Sequence, residues 1–309
     1  MADNLNIETP TTTQGAVATD DISGAHFQRV KLIHGADGVN DGDVSSANGL
    51  PVTAGINTPI HVGDRKVEVS RGLVTGSMSF RKFGSNLSVT TTEEVISSIG
   101  GQLLPWMPTA AVTVEIVSSD AADGVAGAGA LTVRIIGLDS NFDELEEVVT
   151  MNGTTAVTTT GSFIRVFRAY VETVGTYRGT NTGILTIREV GGAGDDIIQI
   201  DAAGGQTLGS HYTVPNGKTL YISDYFTQIE SNKAILVHFV FAPGADDVTT
   251  PFTGARRNLF ELNGLVGATS GTFAFPQVLP GKSDVWATAQ ISAGTGSAFF
   301  EYSGALVDD

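Results

Sequence analysis

The chain contains no cysteine among its 309 residues, so disulfides, thiolate zinc sites and cysteine nucleophiles are excluded. It also lacks long Glu, Lys, Leu and Ala stretches at helical spacing, and no segment approaches the roughly 20 apolar residues of a membrane helix. The N-terminus has neither the basic region nor the apolar stretch of a secretory signal. We therefore expect a chain without membrane contact whose stability comes from packing or assembly.

Basic side chains are few. The sequence has 17 Lys and Arg against 33 Asp and Glu, which gives a formal net charge of -16. Affinity for nucleic acid depends on cationic side chains that neutralise phosphates. A genome-binding role is therefore rejected, and nucleic acid is not an expected partner. The same negative charge keeps a densely displayed protein soluble.

The residues that are abundant are those of short strands and tight turns. Gly occurs 38 times, and Val, Ile, Thr, Phe and Tyr dominate the apolar runs. We predict an all-β fold with two antiparallel β-sandwich or jelly-roll-like domains preceded by an extended N-terminal arm. One short helix is predicted at Thr90–Gly100, from a Thr cap, early acidic residues and a terminal Gly. The predicted strands lie in 111–117, 130–138, 144–151, 162–174, 183–190 and 196–200, and then within 211–230, 234–244, 257–264, 271–282, 284–292 and 297–307.

Composition divides the chain into four parts. Residues 1–21 are polar and without periodicity, which predicts a flexible arm. Residues 22–55 hold too little apolar surface for a core of their own, so we expect them to fold against a partner or the rest of the chain. Two β-sandwich domains are predicted at 56–204 and 205–309, with the boundary at the Gly-rich stretch Ala202–Gly205.

No motif has the spacing of an active site. The five histidines form no HxH or HExxH arrangement, so a lone strand histidine such as His238 is interpreted as structural. No G-x-S-x-G nucleophile elbow occurs. The Gly-rich runs Gly124–Gly129 and Gly191–Asp196 lack the Lys-Ser/Thr ending of a phosphate loop, and we predict hairpin loops instead.

Acidic residues and aromatic residues give no site that can be named. A glycosidase needs two carboxylates at a fixed separation, whereas adjacent acids point to opposite faces of a strand or solvate a turn. Tyr221 and Trp286 lie within apolar alternation, which favours a β core over a sugar-binding face. We therefore predict no catalytic residue and no cofactor, and that the protein is not an enzyme. The acidic candidates considered are Glu146, Glu147, Asp195, Asp196, Asp246 and Asp247, and the other second-half aromatics are Tyr212, Tyr225 and Tyr302.

The segment Ile22–Val52 reads ISGAHFQRVKLIHGADGVNDGDVSSANGLPV. It resembles a leader segment of virion structural proteins of tailed bacteriophages, in which it looks like an attachment element ahead of a β-rich body. The resemblance implies a docking role for this segment. A weaker similarity joins Tyr212–Ile222 to an opening strand of phage appendage domains. The apolar residues expected to dock are Phe27, Val30, Leu32, Leu50, Pro51 and Val52.

An acidic cluster in the same segment leaves two alternatives open. Asp37, Asn40, Asp41 and Asp43 could supply oxygen ligands to calcium, since hard cations prefer carboxylates and carbonyls. The spacing lacks the central Gly and closing Glu of an EF-hand, which favours a solvated turn. No metal site is therefore predicted.

The function expected from these features is that of a bacteriophage virion structural protein displayed on the particle surface. A capsid decoration or head-fibre protein is favoured, because the chain lacks the long fibrous repeats of a tail-fibre shaft. A tail fibre, a tail adaptor and a module that binds host polysaccharide are the alternatives. Expected partners are the major capsid or tail protein, further copies of the chain in a homotrimer, and a host-surface glycan. The expected location is the virion, assembled in the host cytoplasm.

Overall fold

The structure is a computed structural model, and it describes two parts of the chain in different detail. In the N-terminal part it describes the backbone of three strands, at residues 4–7, 15–22 and 25–28. From residue 65 onward it describes both backbone and side chains, over residues 65–191, 196–230 and 233–309. The backbone contacts separate the chain into Met1–Asp64 and Arg65–Asp309.

The N-terminal unit contains an antiparallel three-stranded sheet. Strands β1 (Asn4–Ile7), β2 (Gly15–Ile22) and β3 (Ala25–Gln28) lie in the order β1-β2-β3. Strand β1 and all but the last residue of β2 fall within residues 1–21, where the sequence predicts a flexible arm. The polar composition hides a short alternation of Asn with Leu and Ile in β1, which is the period of a strand.

The unit Arg65–Asp309 is built of strands with one short helix. The helix is α1 (Arg65–Ser70). The strands of the first half are β4 (Ser77–Val89), β5 (Glu94–Val95), β6 (Val112–Ser118), β7 (Ala130–Leu138), β8 (Glu144–Thr150), β9 (Val157–Phe163), β10 (Arg165–Val174), β11 (Leu185–Glu189) and β12 (Asp196–Ile200). Those of the second half are β13 (Tyr212–Thr213), β14 (Lys218–Glu230), β15 (Ile235–Ala242), β16 (Arg257–Leu265), β17 (Gly267–Leu279), β18 (Asp284–Ile291) and β19 (Gly296–Asp308).

The all-β prediction is confirmed, and the predicted strand segments from 111 onward coincide with strands of the structure within a few residues. Strand β9 was not predicted, since the predicted segment 162–174 corresponds to β10. The helix predicted at Thr90–Gly100 is wrong. Both the backbone N–H and the hydroxyl of Thr90 donate to the Glu94 carboxylate, which also accepts from the Gly101 N–H. These capping residues therefore close a turn around Glu94, and a short strand, β5, pairs with β18.

Four sheets pack as two sandwiches. The first contains the sheets β10-β7-β8 and β12-β11-β6-β9. The second contains the sheet β13-β18-β15-β16, with β5 also paired to β18, and the sheet β17-β14-β19-β4. All pairings are antiparallel. Strand β4 precedes the first sandwich in the chain, yet it pairs with the C-terminal strand β19 along nearly its whole length. The second sandwich thus includes residues from the part of the chain assigned by composition to the first domain.

Strand β18 is buried on both faces and belongs to two hydrophobic cores. Val285 and Ala287 pack into the core of the second sandwich, while Trp286 packs into that of the first. Strand β15 behaves in the same way, with Phe239 on one side and Val240 on the other. Side chains alternate between the faces of a strand, so one sheet serves both cores. The two sandwiches are consequently held together by a shared layer.

A buried ion pair lies where β10 of the first sandwich meets β18 of the second. Arg165 and Asp284 begin these strands, are 2% and 1% exposed, and lie 3.3 Å apart between Nε and Oδ1. Asp284 also accepts from the Thr213 hydroxyl at 2.6 Å and from the Phe252 N–H at 3.2 Å. The guanidinium lies over the rings of Phe142 and Phe252 at 5.4 and 5.5 Å. Both phenylalanines have a positive φ, 64° and 60°, a strained conformation that persists only where the surroundings enforce it.

Removing one partner of this pair should destabilise the whole unit. We expect Arg165→Met to lower the free energy of unfolding by about 3–5 kcal/mol, because it leaves the Asp284 carboxylate buried without its counter-charge. Urea denaturation followed by tryptophan fluorescence measures the change. The matched control is Arg134→Met in β7, whose guanidinium pairs with Glu146 and Glu172 at the surface and whose loss should leave the midpoint almost unchanged. Equal midpoints for the two variants would contradict the assignment.

Candidate interaction surface

The residues predicted to dock lie mainly outside the described part of the chain. Phe27 belongs to β3. Val30, Leu32, Leu50, Pro51 and Val52 lie outside the described residues, as do Asp37, Asn40, Asp41 and Asp43 of the acidic cluster. Both the docking assignment and the choice between a cation site and a solvated turn therefore stay predictions. Within residues 65–191, 196–230 and 233–309, no group of three or more acidic, His or Cys side chains is placed to hold a metal ion.

His238 lies in a polar cluster that ties three segments together. Its Nδ1 is 2.9 Å from Glu93 Oε1, and Glu93 also accepts from Arg256 at 2.5 Å and from the Thr288 hydroxyl at 2.5 Å. Burial alone would raise the pKa of Glu93, but these hydrogen bonds outweigh it and lower the pKa to about 2. Thr288 is fully buried. The cluster fixes the segment before β5 against β15 and β18 rather than presenting a nucleophile.

Lys82 and His211 are buried, and both interact with backbone carbonyl groups at an irregular point in β10. The pairing of β10 with β7 shifts register between Val166 and Arg168, and such a bulge leaves backbone groups without a ladder partner. Lys82 donates to the Phe167 carbonyl, and His211 Nε2 lies 3.3 Å from the Val166 carbonyl. Burial lowers the pKa of Lys82 to about 7 and that of His211 to about 3. These two groups are used in packing the sandwiches together.

Several of the carboxylates considered for glycosidase chemistry form ion pairs or hydrogen bonds with nearby residues. Glu146 pairs with Arg134, and Asp246 pairs with Lys282. Glu147 accepts from the backbone N–H groups of Thr160 and Gly161, both at 2.8 Å. Asp195 lies outside the described residues. Asp246 and Asp247, which are neighbours in the chain, both contribute to the lining of one cleft beside Arg165.

The two Gly-rich runs have different roles. Gly191–Asp196 joins β11 to β12, which are antiparallel neighbours, so the hairpin prediction is confirmed there. Gly124–Gly129 joins β6 to β7, which lie in different sheets, so the hairpin prediction is wrong there. The buried Asp123 organises that connection, accepting from the Ser118 hydroxyl at 2.6 Å and from the Ala130 N–H at 2.8 Å. The sequence does not reveal this because the partners of Asp123 also include the distant backbone of residues 182 and 183.

The second-half aromatics do not form an open sugar-stacking face. Trp286, Tyr302 and Tyr212 are buried, which confirms the core assignment of Trp286. Tyr225 packs against the core and covers Gly271, where an added Cβ would lie 2.6 Å from the tyrosine ring. Tyr221 is 37% exposed, so its predicted place in the core is wrong. It lies on β14 beside Val278 of β17, on the outer side of the sheet.

One side of the second sandwich is bounded by two unpaired strand edges, and we call it the open side. It consists of β16 and β17, each the last strand of its sheet. The ring centroids of Phe260 in β16 and Phe273 in β17 are 5.7 Å apart, and Tyr225 lies 4.4 Å from Phe260. These rings close the core between the two edges. An exposed strand edge presents backbone N–H and C=O groups that can accept another chain.

The open side is free of charge over most of its length. No Asp, Glu, Lys or Arg occurs from Leu262 to Gly281 in a chain of net charge -16. The register of β17 on β14 jumps from Thr272 to Gln277, so residues 273–276 form a wide bulge. Phe275 lies in this bulge and is 83% exposed. An exposed aromatic on an uncharged edge is a feature typical of interaction surfaces.

A cleft of about 600 Å³ adjoins the bulge. It lies between α1 and the outer side of the sheet β17-β14-β19-β4, and Phe80, Tyr221 and Ala305 contribute apolar walls. Pro276, the residue after Phe275, is part of its lining. Three basic residues, Arg65, Lys66 and Arg81, line the cleft against one acidic residue, Asp224. Bulge and cleft are thus neighbours on the same side of the molecule.

Comparisons with known proteins do not assign this surface. No protein-family model matches the chain, and no curated protein matches it. A structure of infectious bursal disease virus, Gt strain, is similar over 75% of this chain and 72% of that chain, with 13% identity and a TM-score of 0.22. A structure of T=1 particles derived from infectious bursal virus is similar over 75% and 78%, with 10% identity and a TM-score of 0.15. Similarities at this level carry no argument about function. No helix in the described residues is long and apolar enough to cross a membrane.

The buried Lys82 predicts a rise of stability with pH. Because its pKa is about 7 in the folded state against an ordinary 10.5, the unfolded chain binds more protons between these values, and stability increases with pH across that window. We expect the free energy of unfolding of the native protein to increase from pH 7 to pH 9.5 relative to that of Lys82→Met. Urea denaturation of both proteins at each pH measures this change. Parallel pH profiles for the two proteins would show that Lys82 is not buried as described.

Proposed function

We propose that this chain is a structural protein of a bacteriophage virion, displayed on the particle surface and without enzymatic activity. The observation that carries the proposal is a contrast within the unit Arg65–Asp309. The described polar groups that chemistry would need are used in packing, as with Lys82, His211 and Glu93. Exposed apolar residues occur in several places, and three of them, Val266, Phe275 and Val278, lie together on an uncharged strand edge. Such a molecule is suited to assembly.

The N-terminal segment supplies the attachment in this proposal. Residues 22–52 resemble the leader of tailed-phage virion proteins, and the contacts separate Met1–Asp64 from the rest of the chain. A segment with its own small sheet, followed by a large independent body, is consistent with an anchor and a displayed part. The partner of the anchor is the major capsid protein or a tail protein.

Deleting residues 1–55 tests the attachment. When particles assemble in the presence of the truncated chain, we expect them not to incorporate it, because the docking residues are missing. The body of the truncated chain should keep the circular dichroism spectrum and the urea midpoint of the full chain. The matched control is Tyr177→Ser, a change at an exposed residue of the body that leaves residues 1–55 intact and should preserve incorporation. Quantitative immunoblotting of purified particles measures both variants. Incorporation of the deletion variant at native levels would overturn the docking role.

The position on the virion is proposed to be the head, as a capsid decoration or head-fibre protein. Immunogold electron microscopy of intact particles, with antibodies against residues 205–309, distinguishes this from the tail. Labelling over the head supports the proposal, and labelling at the tail supports the alternative of a tail fibre or adaptor. Absence of labelling on particles that contain the chain would contradict surface display.

Binding of host polysaccharide is the weaker candidate function. Of the five second-half aromatics that suggested it, three are buried and Tyr225 closes the core beside Phe260. A sugar-stacking platform requires exposed ring faces, and Tyr221 alone of the five is substantially exposed. Binding on a glycan array that disappears with Tyr221→Ala, while urea stability is retained, would revive this candidate.

A further inference from the structure

We propose that the open side is a self-association surface, in which Phe275 of one copy enters the cleft of a second copy of this chain. The proposal goes beyond the virion role, because it concerns contacts between copies and requires no other virion protein. Phe275 and the cleft form a knob and a hole on the same side of one molecule. Each copy can therefore insert its Phe275 into the cleft of a neighbouring copy and accept a neighbour's Phe275 in its own cleft.

Charge identifies a second copy as the occupant. Each copy carries a net charge of -16, so two copies repel one another over most of their surfaces. The repulsion is smallest where the chain carries no charge, which is the stretch from Leu262 to Gly281. In the cleft, Lys66 pairs with Asp224 and Arg81 pairs with Glu301, so most of its charge is neutralised and the cleft adds little repulsion. The uncharged edge and this charge-compensated cleft are therefore the places where another acidic copy can approach closely.

The strand edge gives the contact its direction. Residues Gly267–Thr272 of β17 pair with β14 on one side and with no described strand on the other. Their side chains are small and uncharged, so a second strand meets no steric or electrostatic barrier. Pro276 has no N–H to donate, which ends such pairing at the bulge. The pairing segment is thus short, and the Phe275 contact is needed to complete it.

The number of residues on this surface can be compared with that of a stable interface. The uncharged stretch Leu262–Gly281 alone comprises 20 residues, and one side of a standard interface uses roughly 20–30. Within it, Val266 and Val278 are exposed at 59% and 55%, in addition to Phe275. A buried aromatic at the centre of such a patch commonly carries much of the binding energy. Phe275 is accordingly the residue on which we expect association to depend most.

The oligomeric state of the purified full chain tests the proposal without virus particles. Sedimentation equilibrium should show an oligomer, and Phe275→Ser should raise its dissociation constant by about tenfold or more. Ser270→Lys, which puts a charge on the edge, should have a similar effect. The matched controls are Tyr177→Ser, at a tyrosine that is 87% exposed elsewhere, and Thr154→Lys in an exposed turn. A monomer at all accessible concentrations would overturn the proposal.

The absence of native cysteine allows a direct test of the knob and the hole. A chain with Phe275→Cys is mixed with a differently tagged chain carrying Ser79→Cys, a residue of the cleft. Mild oxidation should give a disulfide between the two tags, whereas Tyr177→Cys mixed with Ser79→Cys should give none. The proposal is wrong if no disulfide forms between Phe275→Cys and Ser79→Cys and the Phe275→Ser variant still forms the oligomer. These two results together would show that the copies meet at another surface. Either failure leaves the virion assignment to be tested by the particle experiments.

Discussion

The buried pair of Arg165 and Asp284 is the constraint on which the arrangement of the two sandwiches depends. Two opposite charges removed from water are tolerated only when each finds its full set of partners. Here those partners come from both sandwiches and from the strained backbone at Phe252. A shift of one sandwich against the other would leave charge uncompensated in the core. The pair, together with the doubly buried β18, therefore holds the two sandwiches together within the compact unit Arg65–Asp309.

A rigid body has consequences for function, because surface features keep fixed positions relative to one another. The bulge with Phe275 and the adjoining cleft are built on β14, β17 and β19, whose hydrogen bonding continues through β19 to β4. Little ordering entropy remains to be lost when such a surface meets a partner. The buried polar groups also fix the two sandwiches relative to one another, since Lys82 of β4 in the second sandwich donates to the bulge of β10 in the first.

Local patterns predicted the strands well, while pairing over long distances was hidden. Strands such as Ala130–Leu138 have period-2 alternation and flanking turn residues, which suffice to locate them. Strand β4 was missed because SMSFRKFGSNLSV mixes Gly and basic residues with few apolar ones. Its place is set by β19, more than 200 residues away in the chain. The failed helix at Thr90–Gly100 shows the converse, since its capping residues bond to the Glu94 carboxylate in a turn and the residues after them pair with the distant strand β18.

The uncharged stretch from Leu262 to Gly281 is visible in the sequence, but its meaning depends on topology. In a central strand a lack of charge would reflect burial alone, whereas β17 proves to be an edge. Natural edges are usually protected by charge, bulges or proline, because a bare edge pairs without limit. This edge has the bulge and Pro276 but not the charge. It is thus protected against unlimited pairing while staying open to a partner that matches both the short strand and Phe275. That combination distinguishes a specific contact from an aggregation hazard.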